Sequence, residues 1–294
     1  MATRPTYRPP YDELFIYYLE GHITSSAQCF GAAFIGNWEE EGDTFLFFRQ
    51  PADALVQHLT DHAPGLVLRD RFRMSYEEWQ GGRLNAFRVG PFLVHTPWTP
   101  DAPAVRPDDL AILIDPGVVF GAGNHPTTHD CLAALAWLST HGRVASALDL
   151  GTGTGILAVA AARIGCRRVL AVDFNRLATE TAKRNVMLND ATDCVWAIQG
   201  RAEELASCPA ELLMANIHYD VMQRILAAPG FADRRYAILS GLLRSQAREI
   251  ETLLARRALP VLRHWTHDDI WHTYLVQCRP DLALNLQDGA DGLH

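Results

Sequence analysis

The sequence predicts an α/β protein in two parts: a larger C-terminal unit built on a doubly wound parallel sheet, and a smaller α+β unit before it. Three observations carry this reading. After Leu110, strand-length apolar runs alternate with helix-length amphipathic runs, the pattern of a parallel sheet covered on both faces. Before Trp98 the runs are shorter and include a hairpin signal. Between the two, HTPWTPDAPAVRPDD sets four prolines among charges, which no continuous helix or central strand tolerates. A length of 294 residues suits two cores.

In chain order, YDELFIYYL, AQCFGAAF, FIGNWEE, DTFLFFR, ADALVQHLTDH and LVLRDRF read as strand, helix, strand, strand, helix and strand. The pair around Glu41-Gly42-Asp43 is a hairpin, because glycine supplies the positive φ of a tight turn. That order is the ferredoxin-like α+β arrangement. A short helix at Glu77–Trp79 and a strand FLVHTPW complete the unit at about residue 98. Residues 99–109 are expected to form a semi-rigid linker.

The unit from 110 to 294 alternates ALDL, GILAVAAARIG, RRVLAVDF, NRLATETAKRNVMLN, VWAIQG, ELLMANI, YDVMQRILAA, RRYAILS and LLRSQAREIETLLARR. LPVLRHWTH and DIWHTYLVQC, joined at Asp268-Asp269, predict an antiparallel hairpin at the sheet edge. The tail from Pro280 is polar and expected to be loose.

Composition narrows the function. Hydrophobic residues make up 48% and charged residues 20%, ordinary for a globular protein. A formal charge of -8 argues against a broad grip on nucleic acid, which needs clustered Lys and Arg, and suits a basic protein partner. The six cysteines are scattered with no C-x-x-C spacing, so a reducing cytosol is the expected compartment. No run approaches bilayer length, and Met1–Pro10 lacks an apolar leader core, so neither export nor a membrane is expected. His264, His267 and His272 straddle a hairpin without ligand spacing, and no metal is expected. The sequence leaves the oligomeric state open.

Four motifs carry chemistry. Gly151-Thr-Gly153-Thr-Gly155 follows an apolar strand and opens a helix, where glycines let the backbone approach a ligand and the helix N-terminus favours an anionic group. A nicotinamide fingerprint needs a glycine at 156, which is Ile; the compressed spacing suits S-adenosylmethionine instead. Asp173 ends the next strand and can accept both hydroxyls of an adenosyl ribose, or cap the following helix, a role open also to Asn175. Asn216, in LMANIHY at a strand end, can accept hydrogen bonds from an incoming amine together with the Ile217 carbonyl, with Tyr219 at the aromatic place of an Asn-Pro-Pro-Tyr-like signature; a plain turn asparagine is the alternative. The loop IDPGVVFGAGNHPTT lacks the Lys of a phosphate-binding loop. It either folds over the methyl donor, with Phe120 excluding water and Thr127 and Thr128 bonding its methionyl end, or is an ordinary connection.

Taken together, DPGVVFGAGNHPTTHDCL, LDLGTGTGILAVAA, AVDFN, ANI and ILSGLL, in this order and spacing, resemble the PrmA family, the methyltransferases of large-subunit ribosomal protein eleven. NWEEEGDTFLFF, EEWQGGR and PFLVHTPW extend the resemblance into the family's substrate-recognition domain and connecting segment. The resemblance implies a Rossmann-like class I methyltransferase sheet with an antiparallel C-terminal hairpin. It implies S-adenosylmethionine contacts at Thr128, Gly151, Asp173 and Asn216, to which the motif reading adds Phe120, Thr127, Gly153 and Gly155. It implies transfer of methyl groups to lysine ε-amino or N-terminal α-amino groups of a basic ribosomal protein in the cytoplasm. Ala122 and Asn124 stand where the family usually has Thr, and Asn175 replaces a common Asp. The same chemistry on a different protein, a small molecule or a nucleic acid is the alternative.

Overall fold

A computed structural model of the protein describes residues 8–23, 30–40, 42–99 and 103–279. The N-terminal sheet contains β1 (Glu13–Glu20), β2 (Phe34–Glu40), β3 (Asp43–Phe48) and β4 (Val67–Ser75), in the order β2-β3-β1-β4. All its pairings are antiparallel, and the order is the ferredoxin-like one the sequence predicts. β2 and β3 turn back with Glu40 opposite Asp43. Glu41, and residues 27–29 of the expected first helix, lie outside the described residues. The end of that helix is corrected: Phe34 already pairs with Phe48 in the sheet, and its ring packs on Phe30 and Phe48.

Alternation of side chains along β1 and β3 divides their apolar residues between two cores. Tyr17, Leu19, Leu46 and Phe48 face α1 (Asp53–His62) through Val56. Leu14, Ile16 and Phe47 face the other way and join Val118, Val119, Leu177 and Ala178 of the C-terminal unit. Burying each such side chain stabilises by about 1.5–3 kcal/mol, so the two units are held face to face rather than tethered. Gly36 of β2 permits this approach, since a Cβ there would stand 2.6 Å from Leu177 Cδ1. α2 (Tyr76–Trp79) begins with a capping box between Ser75 and Glu78. Beyond it, the buried Gln80 donates to Gly117 O at 2.8 Å and pins the N-terminal unit to the loop before α3 (Pro126–His141).

A three-stranded sheet comprises β5 (Phe87–Val89), β6 (Phe92–His95) and β7 (Leu110–Leu113), with β6 and β7 parallel. Phe92, Val94 and Ile112 share one core with Leu132 and Leu135 of α3. The segment before the proline-rich stretch therefore packs with the larger unit. Sequence periodicity indicates no strand at 110–113; β7 exists because β6 pairs with it.

The main sheet follows the predicted alternation: β8 (Ser146–Leu150), α4 (Ile156–Arg163), β9 (Arg168–Asp173), α5 (Arg176–Leu188), β10 (Val195–Gln199), α6 (Ala202–Leu205), β11 (Leu212–Asn216), α7 (Tyr219–Ala227), β12 (Tyr236–Leu243), α8 (Arg244–Arg256), β13 (Val261–His267) and β14 (Trp271–Gln277). Strand order is β10-β9-β8-β11-β12-β14-β13, with β8 to β12 parallel and β14 antiparallel to both neighbours. The terminal hairpin turns at Asp268 and Asp269, with φ of 50° and 55°, as a primed hairpin turn requires. The strand order reverses at β8, whose neighbours are β9 and β11, and the crevice at their carboxyl ends is where such sheets bind ligands. All four motifs converge there.

Candidate cofactor and acceptor site

The glycine turn leaves β8 with three left-handed residues, Gly151, Gly153 and Gly155, at φ of 74°, 54° and 83°. Each also meets another part of the chain. A Cβ would lie 2.8 Å from Ile217 Cδ1 at 151, 2.6 Å from Phe120 O at 153 and 3.2 Å from Ala182 of α5 at 155. The turn is thus a junction of three segments, a packing role that sequence reasoning did not assign. Gly151 N and Thr152 N both donate to Val172 O at 2.9 Å, fixing the turn against the end of β9.

Asp173 is buried at that strand end, one oxygen accepting Gly153 N and the other Asn175 N, each at 3.0 Å. Burial raises its pKa above the ordinary carboxylate value, and the two N–H groups oppose the rise. Asn175 caps α5 by accepting from Leu177 N at 2.8 Å and Ala178 N at 3.4 Å, so the cap does not fall to Asp173. Each carboxylate oxygen carries two lone pairs and receives one of these N–H groups, which leaves room for two hydroxyl donors.

A second carboxylate, missed in the sequence reading, lies beneath the turn. Asp149 is buried in β8, accepts the Thr152 hydroxyl at 2.5 Å, and is pushed by burial up to about 7. An acidic residue inside an apolar parallel strand was the available signal, because unpaired carboxylates are rarely buried.

The loop from Asp115 to His125 docks on the glycine turn. Thr154 Oγ1 donates to Gly121 O at 2.7 Å, and Asn185 of α5 donates to Asp115 O and Thr154 O at 2.9 and 2.8 Å. Phe120 projects from it, 56% exposed, beside a groove of about 420 Å³ lined by Trp79, Gln80, Gly121 and Asn124 among others. Its ring meets His125, which in turn meets Trp271, edge to face, with centroids 5.4 and 5.0 Å apart. His125 caps α3; burial lowers its pKa, and its Nδ1 lies 2.7 Å from Thr127 Oγ1. Thr127 and Thr128 are buried in the first turn of α3.

Asn216 ends β11 opposite Ser240 of β12. Its Nδ2 donates to Thr127 Oγ1 at 3.2 Å, and among the described residues no donor reaches its Oδ1. Tyr219 turns elsewhere: its hydroxyl donates to Glu249 of α8 at 2.5 Å and accepts from Gln223 at 3.0 Å. The β2–β3 hairpin spans the crevice above. Trp38 meets Phe174, the neighbour of Asp173, edge to face at 6.2 Å, and Glu40 Oε1 lies 3.6 Å from His218 Nε2, two residues past Asn216. His264 and His272 hydrogen-bond to one another across the terminal hairpin at 3.0 Å. Among the described residues no group of three or more His, Cys, Asp or Glu could hold a metal ion, and no helix is long and apolar enough to cross a membrane.

The strand order, antiparallel β14 between β12 and β13, a glycine turn after β8 and a carboxylate at the end of β9 together define a class I methyltransferase fold. A crystal structure of the ribosomal protein L11 methylase from Lactobacillus delbrueckii subsp. bulgaricus shares it, with a TM-score of 0.56 and 24% identity over 66% of this chain and 98% of that one. Within this class the chain belongs to the PrmA family, described as ribosomal protein L11 methyltransferase, which matches residues 69–278. Relatives bearing that description are 36% identical in Heliobacterium modesticaldum, over 62% of this chain and 57% of the relative. The Geobacter metallireducens relative is 39% identical over 57% and 55%, and that of Desulforamulus reducens 32% identical over 70% and 67%. The matches thus span between about half and two thirds of these relatives' length.

Proposed function

We propose that the protein transfers methyl groups from S-adenosylmethionine to amino groups, lysine ε or N-terminal α, of a basic ribosomal protein in the cytoplasm. The observation that carries this reading is Asn216 at the carboxyl end of β11, whose amide is tethered through its nitrogen to Thr127 while among the described residues no donor reaches its oxygen. Membership of the PrmA family supports the choice of acceptor.

S-adenosylmethionine, when bound, supplies a methyl group already activated on a sulfonium. The chain's residues bind and orient. The pocket chemistry fits that donor: Asp173 has lone pairs for the two ribose hydroxyls, and the turn at 151–155 offers its backbone to the methionyl end. Thr127 and Thr128 close the pocket from α3, and Phe120 with the β2–β3 hairpin shields it from water.

A lysine must arrive neutral, which at pH 7 costs about 4–5 kcal/mol from its ordinary pKa. Desolvation in the crevice lowers that cost by disfavouring the ammonium. Asn216 Oδ1 and the Ile217 carbonyl then accept the N–H bonds and aim the lone pair, so no strong general base is required. The hydrogen bond of Tyr219 to Glu249 of α8 gives it a supporting place in holding α7. In functional terms residues 1–98 recognise the acceptor, 99–109 connect, and 110–294 catalyse, with β5 and β6 lending side chains to the catalytic core.

Incubation with methyl-labelled donor and the recombinant ribosomal protein should label that protein, and Asp173→Ala should abolish the heat of donor binding in calorimetry. Donor binding with label appearing only on another acceptor would reject the substrate. No heat with the unaltered protein would reject the enzyme class.

A further inference from the structure

We propose that the edge of the main sheet at β10 is an interface on which a second copy of the chain lays its own β10, antiparallel about Ala197, so that the sheet runs from one subunit into the next. The inference does not depend on the chemistry assigned to the crevice.

β10 ends the strand order, and β9 is its one strand neighbour among the described residues. An edge strand presents a row of backbone donors and acceptors, which proteins guard with charged side chains, Pro or a bulge. The far edge of the same sheet is guarded in this way: β13 carries Arg263 and loses register between Val261 and Arg263. β10 reads VWAIQ, without charge or proline, is of ordinary strand length, and pairs with β9 in unbroken register. On it Trp196 is 48% exposed and Ile198 37%.

The ladder to β9 decides which backbone groups are free. Val169 N donates to Cys194 O at 2.8 Å, and Gly200 N to Asp173 O at 2.9 Å. Bonded residues alternate along a strand, so Trp196 and Ile198 turn their backbone groups toward β9 while Val195, Ala197 and Gln199 turn theirs outward. Of the outward groups, Val195 N is already taken by Ala191 O at 2.9 Å. A second β10 centred on Ala197 uses the rest. Ala197 N–H meets the Ala197 carbonyl of the second copy, and Gln199 N–H meets its Val195 carbonyl, each bond being made twice by the two-fold symmetry.

The same register matches the side chains. Trp196 lies opposite Ile198 of the second copy, and Ile198 opposite its Trp196, all on one face of the sheet, so the exposed apolar side chains cover one another. Just beyond the strand, the exposed Asp193 comes opposite the exposed Arg201, again twice, and opposite charges meet. Sliding the second strand by one residue would set outward-turned groups against inward-turned ones. Sliding it by two would part Trp196 from Ile198. Such self-complementarity is what a two-fold contact requires, and it favours a second copy over the strand of an unrelated protein. Because the two strands run in opposite directions, the crevices of the two subunits open at opposite ends of the joined sheet.

Sedimentation velocity over about a hundredfold range of concentration should show the full chain passing from 32.7 kDa to twice that mass. Ala197→Pro removes an outward N–H and none that bonds β9, a change that edge strands tolerate, and should raise the dimer dissociation constant at least about tenfold. Asp193→Arg sets like charges together and should weaken the dimer by about the same factor; adding Arg201→Asp should restore it to within about twofold. Should the proline variant fail to fold, the charge exchange reads the same interface. A 32.7 kDa species at every concentration would overturn the proposal, as would a dimer that Ala197→Pro leaves intact. Hydrogen exchange at the Ala197 and Gln199 amides should slow as chain concentration rises; slowing only when a different protein is added would give the edge to that protein and overturn the proposal as well.

Discussion

Asp149→Asn should erase a pH dependence of stability that the unaltered chain carries between about pH 4 and 7. The Asp149 carboxyl is buried in β8 beneath the glycine turn, where desolvation pushes its pKa from 3.8 up to about 7 against the opposing bond from Thr152. Across that window the native state keeps a proton that the unfolded chain has released. Stability therefore falls as pH rises through the window and levels off above about 7. At about 1.36 kcal/mol per pH unit, the displacement amounts to about 4 kcal/mol. Asparagine keeps an acceptor for the Thr152 hydroxyl and does not ionise. The unfolding free energy of the variant relative to the unaltered protein should thus rise by about 4 kcal/mol between pH 4 and 8. Urea titrations of both proteins at several pH values measure this, with equal slopes confirming that the same surface is exposed. Burial also raises Asp115 and Asp130 and lowers His125 and His264, but these groups are common to both proteins and cancel in the difference; Asp173, itself raised by burial, adds by its charge to the rise at Asp149, a smaller contribution than desolvation. A difference that stays constant from pH 5 to 8 would refute the assignment.

Gly153→Ala places a Cβ 2.6 Å from Phe120 O on a residue at φ of 54°. Left-handed strain of about 1–2 kcal/mol and displacement of the Phe120 loop should raise the dissociation constant for S-adenosylmethionine about 10–100-fold in calorimetry; unchanged affinity would count against the junction described. Gly36→Val, which drives a side chain into Leu177, should destabilise the protein by about 1–3 kcal/mol in urea, and an unshifted midpoint would mean that β2 does not seat on α5.

What could be read in the sequence follows the range of the forces involved. The alternation after Leu110, the terminal hairpin and the cap at Asn175 are local patterns, decided within a few residues, and the structure has each where the sequence indicates. The ferredoxin-like strand order was also legible, because each strand carries its own alternation. β7 was not: four apolar residues after a proline-rich stretch have no period of their own, and pairing with β6 makes them a strand. The glycine motif was recognised as a turn but only partly explained. Phe120, Ala182 and Ile217, which crowd its three glycines, lie 27 to 66 residues away in the chain. Gly36 went unnoticed for the same reason, since Leu177 is brought close only by tertiary folding, whereas Asp149, whose partner Thr152 lies three residues on, was legible as an acidic residue inside an apolar strand. Tyr219 shows the converse: its place after Asn216 suggested a role in the crevice, and its hydroxyl instead engages Glu249.

The crowding at 151, 153 and 155 has a bearing on protein engineering. A glycine turn transplanted between two proteins of this fold would carry its glycines but leave behind the residues they accommodate. A host with a bulkier residue than Ala182, or a differently routed backbone at Phe120, would reject the graft however well the short motif matched. The unit that can be exchanged is the loop together with its three distant contacts, and substitutions at those contacts should be compensated at the matching glycine.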